Sequence, residues 1–301
     1  MLLMSIFLLF SCSDKMNMYD TTIFALDTVI TIKISNNREV LSDCSQMITD
    51  YENIFSRTIP TSDIAQFKEN VSESAIELIA KSIDIADKTN GNFNPALGTV
   101  TPLWHDSIPD IVDLSHTDYT KISITDNKLS KSDSELQLDL GGIAKGYICE
   151  KVTDYLIAQG VYYGVLSFGG NISVFGDRTW DIGIRSPYDT DDIVGNLHID
   201  SGYVSVSGDY QRYFEADGKR YHHIIDPATG YPTDNGVNSV VVWCDDGTLA
   251  DALSTALFVM GVDDGMKYHD SDIYDFEVMY ITQDGLIMSD GFRQHFTEKA
   301  T

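Results

Sequence analysis

Leu138-Asp139-Leu140-Gly141-Gly142-Ile143-Ala144-Lys145-Gly146-Tyr147 is the stretch on which the fold turns. Leu136, Leu138 and Leu140 alternate with polar neighbours, the period of a half-buried strand, and two glycines then lead into a helix that runs to about Gly160. Unpaired N–H groups at a helix start attract anions, and glycines let the backbone approach a ligand closely. A tight structural turn is the competing reading. The spacing is neither G-x-G-x-x-G nor a Walker loop, so the signatures of a doubly wound dinucleotide fold and of a P-loop are both missing. Lys145 opposes the dipole of the helix it begins, which favours an anion bound nearby.

Outward from this junction, the two halves of the chain differ. Before it, Ile30, Ile32 and Ile34 mark a strand over Thr28 to Ile34, and Leu41, Cys44, Ile48, Tyr51 and Phe55 mark a helix at three- and four-residue steps. Ser74 and Glu77 have capping-box spacing and predict the start of a second helix that stops before Gly91. Gly91 to Trp104 reads as a long loop, followed by a short strand around Lys121 to Ile124. After the junction, Val161 to Val242 is mostly β, with turns at Gly169-Gly170 and Asp217-Gly218. Thr248 is placed to cap a last long helix, Leu249 to Met260, before closing strands at Glu277 to Ile281 and Leu286 to Met288. Helices clustered early and strands clustered later indicate an α+β fold with mixed or antiparallel sheets rather than a βαβ winding.

The 301 residues are 43% hydrophobic and carry 20 basic against 46 acidic side chains, a net charge of -26. That is enough apolar material for a sizeable core, and the negative field argues against nucleic acid as a partner. The apolar run Met1 to Phe10 is too short to span a membrane and reads as the core of a signal peptide. Leu9-Phe10-Ser11-Cys12 resembles the bacterial lipobox, with Cys12 as the lipidated residue. No Lys or Arg precedes the run, pointing to a start codon further upstream. The expected organisation is a signal peptide over 1–11, a tether over 12–19 and one folded domain over 20–301, lipid-anchored outside the cytoplasm on the bacterial cell membrane. Cys44, Cys149 and Cys244 have neither C-x-x-C spacing nor an even count, and read as core thiols.

Two further constellations bear chemistry. Tyr221-His222-His223-Ile224-Ile225-Asp226-Pro227 runs from a strand into a shaped turn ending Thr229-Gly230-Tyr231-Pro232, and either imidazole is suited to act as a general base. Asp251 and Thr255 lie four apart on one helical face and offer a carboxylate and a hydroxyl, hard ligands for Mg²⁺ or Ca²⁺. The competing reading of Asp251 is an exposed acidic residue favoured by the helix dipole.

Taken in order, Leu26-Asp27-Thr28, Phe55-Ser56-Arg57, Gly91-Asn92-Phe93-Asn94-Pro95, Asp139 to Tyr147, Phe168-Gly169-Gly170, Ser207-Gly208-Asp209-Tyr210, His222 to Pro232 and Asp251 to Thr255 resemble the ApbE family of FAD:protein FMN transferases. The resemblance implies an ApbE-like fold that binds FAD as substrate with Mg²⁺ on its pyrophosphate. It implies metal ligation by Asp251, Thr255 and the carbonyl of Gly142, and flavin or adenosine contacts from Leu26, Asn92, Phe93, Asn94, Asp139, Lys145, Ile225 and Ser254. His223 matches the family's catalytic histidine. Two departures are Asp27, where many members have Gly, and Asn94, where Asp is frequent. The implied reaction moves FMN onto a Ser or Thr hydroxyl of an acceptor and releases AMP. The implied acceptors are flavoproteins of membrane redox complexes of the Rnf or Nqr kind, which carry an Asp-x-x-Ser/Thr-Gly-Ala-Ser/Thr motif. Two rivals stay open: an Mg²⁺-dependent FAD pyrophosphatase giving FMN and AMP, and a flavin-binding lipoprotein without turnover.

Overall fold

The computed structural model describes residues 17–189 and 191–299; Cys12 and the apolar run before it lie outside them. The chain opens with an antiparallel hairpin, β1 (Met18–Ala25) and β2 (Thr28–Ser35). Strand β1 therefore takes up the last two residues of the expected tether. Helices α1 (Val40–Phe55), α2 (Asp63–Gln66) and α3 (Glu73–Lys88) follow. The cap of α3 is Ser72, whose hydroxyl accepts from the Ala75 N–H, so the expected Ser74–Glu77 box lies two residues too late, inside the helix. A small hairpin, β3 (Ile122–Thr125) and β4 (Lys128–Lys131), precedes the glycine junction.

Leu136 to Leu140 is not a strand. Its three leucines are buried as the alternation requires, but its backbone bonds go to loop groups, Gly98 N–H to Gln137 O and Asp139 N–H to Pro95 O, rather than to a ladder. Alternation reports burial on one side, and a covered loop satisfies it as well as a sheet does.

Helix α4 (Ala144–Ala158) leads to β5 (Tyr163–Phe168), β6 (Asn171–Gly176), β7 (Trp180–Arg185), β8 (Ile193–Ile199), β9 (Gly202–Gly208), β10 (Tyr213–Ala216), β11 (Lys219–His222) and β12 (Val237–Cys244). The chain closes with α5 (Gly247–His269), β13 (Glu277–Thr282), β14 (Gly285–Met288), α6 (Asp290–Gln294) and β15 (Phe296–Glu298). Asp246, not Thr248, caps α5 by accepting from the Leu249 N–H, while the Thr248 hydroxyl donates to Glu150. Past Met260, the helix breaks direction at Gly261 (φ 77°) and continues for two more turns.

Eight strands form one antiparallel sheet in the order β1-β2-β5-β6-β9-β12-β13-β14. One face packs on α1, α4 and α5 through the main core, in which Ile30, Ile32 and Ile34 are fully buried. Each such side chain contributes about 1.5–3 kcal/mol of burial. Val174, Val204, Val241 and Met279 on the other face meet Ile182, Ile184 and Leu197 of a three-stranded sheet, β15-β8-β7. A third cluster, Leu97, Val100, Trp104 and Ile225, ties the long loop to the β10–β11 hairpin. The architecture is α+β with antiparallel sheets, as expected. No helix among the described residues is long and apolar enough to cross a membrane.

Candidate active site

The site forms where the start of α4 crosses the start of α5. A Cβ on Gly146 would lie 2.1 Å from Gly247 O and 2.6 Å from Asp251 Cβ, so only glycine permits the crossing. The approach lets the Gly146 N–H donate to Asp251 Oδ2 at 2.9 Å. Asp251 Oδ1 accepts from Asn171 Nδ2 at 3.1 Å and from Ser205 Oγ at 3.4 Å. At 4% exposure Asp251 is not a solvated residue at a helix end. It serves as the missing cap of α4, whose own N-cap, Ile143, supplies no side-chain bond. Buried carboxylates persist when their oxygens are hydrogen-bonded and a cation is near. That cation is Lys145, whose Nζ lies 3.8 Å from Asp251 Oδ2 and donates to Gly141 O at 2.9 Å.

One helical turn along α5, Thr255 Oγ1 lies 3.1 Å from where a Gly142 Cβ would stand, and Phe93 Cε2 lies 3.5 Å from the same point. Glycine thus leaves a cradle between the turn and α5. Asp251, Thr255 and the Gly142 backbone make a hard-oxygen set suited to Mg²⁺, and the ammonium drawn to Asp251 shows that the spot favours positive charge. Among the described residues there is no cluster of three or more His, Cys, Asp or Glu that could hold a metal.

Asp139 shapes the turn: Oδ1 accepts from the Gly141 N–H at 2.9 Å, and Oδ2 accepts from Thr101 Oγ1 at 2.5 Å and pairs with Arg57 Nε at 3.3 Å. Ser254 is fully buried, with its hydroxyl bonded to Asp251 O at 2.9 Å and Ser207 Oγ at 2.8 Å. The amides of Asn92 and Asn94 donate to Thr89 O and Thr117 O, fixing the loop that carries buried Phe93. Ile225 belongs to the third cluster and bridges Pro232. Leu26 lies in the β1–β2 turn. Its φ of 54° is costly for a branched side chain, and its N–H donates to Glu52 Oε1 at 2.7 Å.

The two histidines separate cleanly. His222 is buried; its Nδ1 accepts from the Ile224 N–H at 3.2 Å and its Nε2 therefore donates to Thr233 O at 2.8 Å. With both nitrogens engaged, and burial lowering its affinity for a proton, His222 is structural. The Nδ1 of His223 faces Arg212 O at 3.2 Å, so it carries the hydrogen and leaves Nε2 free to accept a proton. Water reaches this ring, yet protein surrounds it closely. Desolvation pulls its pKa down to about 4, the bond to the Arg212 carbonyl opposes the fall, and the charges of Arg212 and Lys145 add to it. Solvent contact moderates the desolvation, but the direction stands: the imidazole is neutral at pH 7.

The hairpin is held in place by aromatic packing. Tyr221 stacks between Phe214 and Trp104, with centroids at 5.3 and 5.9 Å, and Trp104 Nε1 donates to Gly230 O at 2.8 Å. Thr101, Asn171 and Arg212 were not singled out from sequence. Each acts through a contact between distant segments; only the Gly169-Gly170 turn, immediately before Asn171, offered a local cue. The three described cysteines are unpaired and buried among apolar neighbours, with the Cys44 and Cys244 thiols pushed up to about 12. They are core thiols, as expected, and poor nucleophiles.

Comparison with known proteins agrees with this geometry. Residues 26–280 match the ApbE family. A Klebsiella pneumoniae relative named FAD:protein FMN transferase is 33% identical over 267 residues, spanning 82% of this chain and 84% of its own length. A Vibrio cholerae relative of the same name is 30% identical over 275 residues, 84% of this chain and 82% of the relative. The crystal structure of the ApbE protein of Thermotoga maritima superposes with a TM-score of 0.86 at 29% identity, covering 94% of this chain and all of that one. The flavin transferase ApbE of Vibrio cholerae gives 0.82 at 27%, covering 93% and 99%. The chain belongs to the ApbE family.

Proposed function

We propose that this protein is an FAD:protein FMN transferase: a Ser or Thr hydroxyl of an acceptor protein attacks the FMN-side phosphorus of FAD, and AMP leaves. The names of its relatives support the activity. The observation that carries the chemistry is His223, a neutral imidazole with Nδ1–H fixed by the Arg212 carbonyl and Nε2 free. Nε2 takes the hydroxyl proton as the oxygen–phosphorus bond forms, the bond from that phosphorus to the bridging oxygen breaks, and AMP keeps that oxygen. The product is a phosphoester-linked flavin. Lys145 contributes a point charge beside the phosphates, and the glycine turn before α4 gives them close backbone access.

Asp251, Thr255 and the Gly142 carbonyl would hold Mg²⁺, which neutralises charge on pyrophosphate oxygens when bound. Asp139 and the loop around Phe93 shape the flavin and adenosine surroundings, with Leu26, Asn92, Asn94, Ile225 and Ser254 as supporting positions. Acceptors in membrane redox complexes of the Rnf or Nqr kind, and a lipid anchor at Cys12 outside the cytoplasm, complete the reading. A non-catalytic flavin store needs neither a free base nor a metal pair. Hydrolysis of FAD to FMN and AMP stays as a second reading because water reaches His223.

Mass spectrometry tests both readings: the soluble domain is incubated with FAD, Mg²⁺ and an acceptor, and AMP, free FMN and modified acceptor are resolved. A hydroxyl carrying FMN supports the transferase; FMN and AMP with an unmodified acceptor make it a hydrolase. A Cys12→Ser change that leaves membrane fractionation untouched removes the anchor from the account.

A further inference from the structure

A cavity of about 570 Å³ lies not at the α4–α5 crossing but along β11, the strand that leads into His223. The ladder with β10 sets which backbone groups face it. The His223 N–H donates to Arg212 O, and His222 stands opposite Tyr213, so the N–H and C=O groups of Arg220 and His222 point away from β10. Among the described residues those outward groups have no hydrogen-bond partner. Two residues further, the same edge is already paired: the Thr233 N–H donates to Ile224 O at 3.0 Å, and Ile225 bridges Pro232. Beyond Thr233 the chain peels away towards β12, and the cavity opens in the gap, with Thr282 and Gln283 among its lining. A second cavity of about 360 Å³ shares Asp209, Arg220, Asn238 and Gln283 with the first, making the pair a groove rather than a pit.

We propose, resting on the transferase reading above, that this edge docks an extended segment of the acceptor polypeptide as an added strand, which delivers the acceptor hydroxyl to His223. An unpaired strand edge recognises polypeptide backbone by hydrogen bonds at strand spacing. Several of the charged side chains along the groove are already paired with one another, as Arg220 is with Asp209 and Lys219 with Asp234, which leaves the strand's backbone groups as the unpartnered polar atoms on this edge. Direction follows from connectivity. A strand added beside Arg220 and His222 is stopped by the Ile225–Pro232 bridge, so it leaves the groove at His223, one residue on. Alternate side chains of the added strand point to the face that bears His223, because successive residues alternate faces. The tip of the β13–β14 turn, at Gln283, forms the far wall.

The test uses a peptide bearing the Asp-x-x-Ser/Thr-Gly-Ala-Ser/Thr motif, held above its own KM, with the intact domain and FAD. Amide hydrogen exchange at Arg220 and His222 slows at least tenfold on peptide binding, while exchange at Lys219 and Tyr221, already paired with β10, changes little. Methylating one backbone nitrogen of the peptide on the groove side raises its KM at least tenfold, and methylating the neighbouring nitrogen does not. Gln283→Trp, on an exposed turn, raises acceptor KM by a similar factor and leaves the Kd for FAD unchanged. Unaltered exchange at Arg220 and His222 under saturating peptide overturns the groove. Absence of transfer to any acceptor overturns the transferase reading instead, and exchange protection still decides whether peptide seats on this edge.

Discussion

Gly146→Ala replaces one hydrogen by a methyl where two helices touch. The added carbon would sit 2.1 Å from Gly247 O and 2.6 Å from Asp251 Cβ, whereas real Cβ contacts stay beyond 3.0 Å, so α4 must retreat from α5 by about 0.9 Å. Overpacking of this kind costs about 1–3 kcal/mol. The retreat also stretches the 2.9 Å bond from the Gly146 N–H to buried Asp251, and losing a bond to a charged group costs about 1.5–3 kcal/mol. Alanine returns at most about 1 kcal/mol of helix propensity, less in a first turn. The expected net loss is about 2–4 kcal/mol, read as a lower denaturant midpoint at unchanged slope. Because Asp251 moves relative to Gly142 and Lys145, transfer falls by about 10²-fold, the size of effect that a 1 Å misplacement produces. Both are measured on one preparation, by urea denaturation and by AMP release. A variant with wild-type midpoint and turnover would show that the close crossing does not build the site.

Other substitutions separate binding, chemistry and scaffold. His223→Gln leaves the Kd for FAD within about twofold and lowers transfer by about 10²–10⁴, the range for a lost general base; retained transfer removes that role. The acid limb of kcat/KM against pH lies below the ordinary imidazole value of 6.5, approaching the value of about 4 set by desolvation; a limb at or above 6.5 contradicts the neutral-imidazole picture. Burial also lowers the pKa of His222, so between 6.5 and its folded value the unfolded chain binds the extra proton and stability falls as pH drops. His222→Gln should flatten the dependence of denaturation midpoint on pH below 6.5. Trp104→Ala deletes the ring that stacks on Tyr221 and bonds Gly230, costing about 3–5 kcal/mol and loosening the hairpin before His223. Leu26→Gly relieves a left-handed backbone, and a midpoint lower than wild type argues that the leucine is not strained there.

Sequence reading reached what is encoded locally. Three isoleucines placed β2 and its buried face, and apolar steps placed α1 within a residue. It misjudged elements whose state depends on distant partners. Leu136 to Leu140 has strand alternation but lies against the 95–98 loop, and the caps of α3 and α5 fell to Ser72 and Asp246 rather than their neighbours. At the site, Asp251 and Thr255 were legible as a pair on one helical face. That Asp251 is buried and caps a second helix was not, because the crossing at Gly146 is a property of two segments about a hundred residues apart. The histidines tell the same story: adjacent in sequence, they are distinguished only by what surrounds each ring. The unpaired edge of β11 left no trace in the sequence, since it exists only because Thr233 turns away.

The most direct test of the account is a time course of AMP release against acceptor labelling, run with FAD, Mg²⁺ and the acceptor for the wild-type domain and for His223→Gln. The account predicts one AMP for each FMN-modified hydroxyl throughout, with both rates falling together in the variant while FAD remains bound. AMP accumulating without labelled acceptor, or labelling that persists undiminished in His223→Gln, contradicts it.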